Sequence, residues 1–366
     1  VFDKKGRDTM TKNQWNLLKS IIKGESDELH VGLIVDSPWM PGYCGISNID
    51  FYVRPDEWYN SYMKIKRDFP DVLFLPDWWA EYGMVTEPTG FGVKIDFFDD
   101  NLPNAHPLIN DMDDAEDVVN SLTLPNPKKN GMMPMLLNLQ RYFKPKLKEI
   151  GEEIKIVSTR GPLTIASHLF TVTEMLMCTK IEPEVVHKLL KLTTQLCKDW
   201  LAAQLETVQT AEGILVLDDI TGFFGKDDYE EFAHPYLKEI FTAFPECIHL
   251  FHNDTDSDVC FEYMEDMGVD LFNFTHMKDI GEVRKKAGKN VSLLGNIPPM
   301  SLARNTPEEV YNMSLACIDS YIAANGSTKG LLLSVGGGVP MGATAECINA
   351  VIRAAKKDRG TGSLSS

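Results

Sequence analysis

Eight short apolar runs set the narrowest limit on how this chain can fold. Each ends in polar, glycine or proline residues and gives way to a helical stretch. They lie at 31–38 (VGLIVDSP), 71–79 (DVLFLPDWW), 153–162 (EIKIVSTRGP), 213–219 (GILVLDD), 247–254 (CIHLFHND), 269–276 (VDLFNFTH), 290–299 (NVSLLGNIPP) and 329–338 (KGLLLSVGGG). Strands that alternate with helices pair in parallel through right-handed crossovers. Near-continuous apolar character implies burial on both faces, which suits a closed barrel better than an open sheet with edges. The expected fold class is therefore α/β, a (β/α)8 TIM-type barrel. The stretch TKNQWNLLKSIIKG, with Gly24 as its stop, adds an N-terminal helical extension. A long amphipathic helix is expected over 184–208, another from near Asp227, and a third from Thr306. There the order Thr-Pro-Glu-Glu supplies a capping oxygen, a first-turn proline and acids at the positive helix end. Residues 87–127, rich in Gly, Pro and Asp, break the rhythm and are expected to form either a hairpin over the barrel mouth or a plain surface loop. The whole of 1–366 reads as one barrel domain, with the Gly/Ser-rich tail 360–366 expected to be disordered.

Composition narrows the function. The net charge is -17, which argues against nucleic acid and against an anionic membrane surface, since both need a surplus of Lys and Arg on one face. Seven cysteines, an odd number with no CxxC pair, sit partly in apolar helical stretches, as small hydrophobes do in a reducing compartment. With no apolar run long enough to span a bilayer and no signal peptide read, a cytoplasmic protein is expected. Barrel helices offer several faces through which copies could associate as a homo-oligomer.

In such a barrel, polar residues at the carboxyl ends of strands face the active-site mouth. Those ends supply Asp36, Asp77, Arg160, Asp218 or Asp219, His252 with Asp254, Asn273 with His276, Asn296 and Ser334. His252 stands out because it closes an apolar run beside two carboxylates. It is either a working group or a histidine holding a loop. Asp218, Asp219 and Glu231 are the acids expected near it. Two or three carboxylates with one imidazole suit zinc, which takes N and O ligands and can leave a position open; the alternative is a loop cap and a solvated helix residue. Arg160 has the fork to clamp a substrate carboxylate, or it forms an internal salt bridge. Trp39, Trp78 and Trp79 offer surface for an aromatic ring. Together with Asp36, Asn273, His276 and Asn296 they are the expected substrate-binding set. The glycine run 335–340 reads as a tight rim turn rather than a phosphate cradle, because no lysine follows it.

The runs LLGNIPPMSLARNTPEEV (293–310) and LLLSVGGGVPMGATAECINAVIRAA (331–355), the stretch 218–241 and the strand LFHNDTD resemble the uroporphyrinogen decarboxylase superfamily, which implies a (β/α)8 barrel. Its porphyrinogen decarboxylases carry an Arg-Gln-Ala-Gly-Arg segment near the first strand; here VDSPWMPGY has no arginine, so the grip on a many-carboxylate substrate is missing. A second branch passes methyl groups to or from a corrinoid protein. Members acting on coenzyme M bind zinc with a histidine, a cysteine two residues later and a distant cysteine; these positions read His252, Asp254 and the run around Gly337, with no thiolate. A third group demethylates phenyl methyl ethers and is associated with a zinc pattern of Glu, fourteen residues, Glu, twenty residues, His. Glu231 and His252 match its second half; Val216 stands where the first glutamate should be, with Asp218 or Asp219 close by. The resemblance thus implies methyl transfer from a methylated small molecule, an aromatic methyl ether in the first place, to cobalamin on a separate corrinoid-binding protein. His252, Glu231 and Asp219 would hold zinc, and His252, Asp219 and Arg160 would act in catalysis. A metal-free decarboxylase of a small acid is the competing reading.

Overall fold

The computed structural model of the protein describes residues 10–357. All eight apolar runs are strands. β1 (His30–Leu33) and β2 (Val72–Phe74) precede the short strands β3 (Lys94–Asp96) and β4 (Asn104–His106). Then follow β5 (Ile156–Arg160), β6 (Gly213–Leu217), β7 (Ile248–Asn253), β8 (Leu271–Phe274), β9 (Ser292–Ile297) and β10 (Leu331–Val335). Eight of them form one parallel sheet in the order β2-β1-β10-β9-β8-β7-β6-β5. The sheet curls into a barrel: Ile34, Leu75, Leu215, Leu250, Leu271 and Leu294, from strands on opposite sides, line one small interior cavity. The expected TIM-type fold is therefore present.

The excursion does form a hairpin, with β3 and β4 antiparallel and Ile95 opposite Ala105. It leans over the carboxyl ends of the strands. Phe97 packs on Tyr52, ring centroids 5.9 Å apart, and the Tyr52 hydroxyl bonds Ser37 just past β1. On the other side, the Leu108 and Ile109 N–H groups donate to Leu169 O, both at 2.9 Å, behind β5. The expected helices are also present, as Met10–Ile22, Pro183–Val208 and Pro307–Asn325, the last opened by a complete Thr306/Glu309 capping box. The one near Asp227 is broken: a π-helical turn, Tyr229–Ala233, precedes His234–Thr242, where Pro235 lacks the N–H a continuous ladder needs. The tail 360–366 lies outside the described residues.

β2 and β5 are the two ends of the sheet order, and among the described residues no ladder joins them. Side chains close this seam. Leu73, Leu75 and Asp77 share one crevice with Glu153, Lys155 and Ile156, stopped at one end by Trp15 and Leu18. The Trp15 indole donates to Glu212 Oε2 at 2.8 Å. Above the crevice, buried Lys66 pairs with Asp77 and, at 3.1 Å, with Glu152, to which Trp78 Nε1 also donates. A lysine between two buried carboxylates keeps them from leaving two uncompensated charges in an apolar wall of Trp58, Tyr62 and Trp78. Replacing Lys66 with Met should cost about 3–5 kcal/mol in denaturant unfolding, as expected when one member of a buried ion pair is removed. The deficit should shrink as pH falls, because protonation discharges the stranded carboxylates. An unchanged midpoint would show that packing alone holds the seam.

Candidate active site at the barrel mouth

Register brings the working residues to one level. Arg160 pairs with Leu217, Leu217 with His252, and His252 with Asn273. Side chains alternate along a strand, so residues one and two steps past this level face opposite ways. That alternation separates the two adjacent aspartates. Asp218 is fully buried and points outward. Its carboxylate accepts from Leu163 N (3.0 Å), Thr164 N (2.9 Å) and Thr164 Oγ1 (2.8 Å), at the start of helix Pro162–Leu169. Burial pushes its carboxyl up to about 7 against those bonds. Gly161 is required here, since a Cβ would lie 2.2 Å from Asp218 Oδ2. Asp219 turns back into the mouth, with Oδ1 3.5 Å from His252 Nε2. Of the two aspartates, the structure thus places Asp219 beside the histidine.

His252 is 6% exposed, and Asn273 fixes how its ring is held. The Asn273 amide donates to Leu294 O (2.7 Å) and Val335 O (3.1 Å), which turns its Oδ1 toward His252 Nδ1 at 2.7 Å. Nδ1 therefore donates to Asn273, which leaves Nε2 as the ring nitrogen turned toward Asp219. Asp254 completes the group. One ligand atom each from Asp219, His252 and Asp254 lie within 4.8 Å of one another. The Asp254 N–H donates to Asp219 Oδ1 at 3.1 Å. The glycine run of β10 makes room for this: Gly337 has φ +137, and a Cβ on it would meet Asp254 Oδ2 at 2.5 Å. The rim-turn reading of that run agrees with this geometry.

A second group of charges occupies the β1–β2–β5 side. Arg160, 8% exposed, donates through Nη2 to Glu81 Oε2 at 2.6 Å, and its backbone N–H donates to Glu87 Oε1 at 2.9 Å. Its guanidinium lies 5.3 Å from the Trp79 ring centroid. Asp36 links the two groups. Burial lifts its carboxyl to about 6, opposed first by Arg160 and then by His252. His168, on the helix after β5, is held neutral at about 4 by burial and by Arg160.

Several expected placements are corrected. Glu231 does not join His252: it stands exposed on the π turn and pairs with His187 Nε2 at 3.3 Å. Trp39 is buried with its indole donating to Ala343 O (3.1 Å), and Trp78 lies in the seam, so neither offers a ring face to the mouth. Of the three tryptophans only Trp79 reaches the charged cluster. Asn273 lies behind His252, with its amide and its oxygen both engaged by the protein. Asn296 spends its amide on Thr275 O (3.0 Å) and Lys278 O (2.6 Å), tying the β8 and β9 loops together. His276 stays exposed at the rim, near enough to favour the charge on Asp254. Arg160 takes the internal salt bridge, with a glutamate rather than an aspartate. Glu81, Glu87 and His168 were not legible. They lie in a loop and a helix without strand-end position, and PDWWAEYG carries no period that would aim Glu81 inward.

Among the described residues no helix is long and apolar enough to cross a membrane. The fold matches a solved methyltransferase from Methanosarcina mazei with a TM-score of 0.77, covering 95% of this chain and 98% of that one at 16% identity. A methylated-thiol–coenzyme M methyltransferase of Methanosarcina mazei is 29% identical over 203 residues, 54% of this chain and 51% of that protein. A uroporphyrinogen decarboxylase of Chlorobaculum parvum is 33% identical over 137 residues, 35% of this chain and 37% of its own length. The chain thus spans about half or less of these two curated relatives. The family model for uroporphyrinogen decarboxylase (URO-D) matches residues 79–357, from the loop that carries Glu81 through the glycine run that accommodates Asp254. On that match, and with the barrel it requires in place, the chain belongs to the URO-D family.

Proposed function

We propose that this protein is a methyltransferase that moves a methyl group from a methylated small molecule to the cobalt of a corrinoid carried by a separate protein. One observation carries the reading: with Nδ1 spent on Asn273, His252 presents Nε2 to two carboxylates at the open end of the barrel. A structural histidine would have both nitrogens satisfied by the protein, as His249 does between Gly268 O and Phe244 O. One imidazole and two carboxylate oxygens fit a divalent cation, with zinc the first candidate. Asp219, His252 and Asp254 would hold it, Asp254 taking the place that the sequence pattern gave to Glu231. When bound, such an ion would polarise the heteroatom of the donor and stabilise charge developing there.

The chain's own groups do the rest. Asn273 fixes the imidazole, and Asp218 holds the β6 end against the helix after β5, so that Asp219 meets His252. The β3–β4 hairpin braces the segment after β1 through Phe97 on Tyr52. The coenzyme M named for the Methanosarcina relative is not carried over, because the positions of its branch's thiolates are Asp254 and Gly337. An aromatic methyl ether remains the first donor class to try, with Trp79 rather than the tryptophan trio as ring support. The competing carboxy-lyase reading draws on the relatives named as decarboxylases and on Asp36 beside Arg160. It is weakened by Glu81 already occupying the guanidinium.

Purified protein should carry about one divalent ion per chain, and His252→Ala should lose both the ion and methyl transfer to a cobalamin acceptor while keeping the fold. A metal-free, fully active His252→Ala protein would sink the reading and bring the lyase forward. Asn273→Leu should weaken metal binding about 10–100-fold, as loss of a supporting hydrogen bond to a ligating histidine does, and metal titration would measure it.

A further inference from the structure

The groups around Arg160 do not balance. Four carboxyl groups act on one guanidinium: Glu81, Glu87 and Asp36 in largely buried surroundings and, with the smallest effect, Asp219 from the mouth. Glu87 is the satisfied anion: its Oε1 accepts from the Arg160 N–H and from the Thr159 hydroxyl at 3.3 Å. Glu81 is not. Its Oε2 takes the Arg160 fork, but its Oε1 is buried and has no hydrogen-bond partner, in a side chain only 7% exposed. The neighbouring titratable groups give no second cation. They are Asp36 and Glu87, the Tyr52 and Tyr62 hydroxyls, whose burial and acidic neighbours keep them protonated, and His168, held neutral. Clustered carboxyls that outnumber their cations keep a proton among them. The oxygen with least compensation is Glu81 Oε1, which becomes a hydroxyl with no acceptor in the protein. The same crowding and burial lift the Glu81 carboxyl to about 8.

We propose that Glu81 is the catalytic acid of the methyl transfer, giving the proton on Oε1 to the departing heteroatom of the donor. This rests on the methyltransferase reading above. The bond that breaks joins the methyl carbon to the donor's oxygen, whose electron pair stays with that oxygen. The bond that forms joins the methyl carbon to the reduced cobalt of the acceptor. The Glu81 proton passes to the oxygen, so an aryl methyl ether leaves as a neutral phenol. Glu81 is left a carboxylate that Arg160 already faces, and solvent reprotonates it. Without the proton, the bound cation alone would have to carry the full charge of a departing phenolate.

The test is Glu81→Gln in the full-length, metal-loaded protein. It should lower turnover by about 10²–10⁴-fold, the usual worth of a positioned general acid, for aryl methyl ethers with basic leaving groups. It should spare ethers of acidic phenols, whose phenolates leave unaided. Wild-type turnover should fall as pH rises through about 8, and the variant should lose that limb. An equal loss for every ether would overturn proton delivery and leave Glu81 a structural partner of Arg160. Infrared difference spectra supply a readout independent of turnover: a protonated carboxyl band at pH 7 in wild type, missing in Glu81→Gln. Absence of that band from wild type would overturn the proposal even if methyl transfer occurs. If wild type transfers no methyl group from any ether, the ether donor class falls and proton delivery to its oxygen with it, while the band still decides whether Glu81 is a neutral acid.

Discussion

A barrel whose sheet is not joined by backbone bonds between its first and last members must be closed by side chains, and this one is closed by a buried lysine. Lys66 draws Asp77 of the β2 side and Glu152 of the β5 side onto one ammonium, and Trp78 caps the contact from the apolar flank. The positive end of this network sits in a wall that would otherwise expel charge. The chain leaves the seam at Trp78 and three residues later reaches Glu81. The closure that makes a barrel out of a curled sheet therefore also fixes the starting point of the loop that faces Arg160. Stability and chemistry share an anchor here.

Two different electrostatic environments meet above the strands. On the β6–β7–β8 side, an imidazole held by Asn273 faces two carboxylates, an arrangement that gathers positive charge. On the β1–β2–β5 side, carboxyls outnumber their guanidinium, an arrangement that retains protons. Asp36 belongs to both, answering to Arg160 and to His252. A donor lying between them would have its heteroatom polarised from one direction and its leaving group protonated from the other. The hairpin β3–β4 is anchored beside both environments, at Tyr52 past β1 and at Leu169 behind β5.

The parts of the molecule set by period and pattern were legible in the chain. All eight apolar runs became strands, because both-sided burial leaves an unbroken hydrophobic signature. Thr306 became a capping box, because that motif is local. His252 and Asp219 were legible as strand-end residues. The failures share a cause, which is direction. Glu231 has the right separation from His252 along the chain, but a π turn ahead of Pro235 places it on the outside against His187. Trp39 and Trp78 follow strand ends, yet each turns into the core to satisfy its indole N–H. Asn273 and Asn296 were expected to meet substrate and instead serve carbonyls and an imidazole. Strand-end position tells which residues can reach the mouth, and only tertiary hydrogen bonding decides which of them do.

Gly337 sets how far a neighbouring side chain can reach. Its Cβ position is 2.5 Å from Asp254 Oδ2, and its φ of +137 lies where side chains are strained. Any other residue there would have to push the end of the Asp254 carboxylate aside and strain its own backbone. The approach of Asp254 to His252 therefore depends on a side chain that is missing from the loop of a different strand, so the outline of the rim is drawn as much by the atoms left out of β10 as by those that β7 supplies.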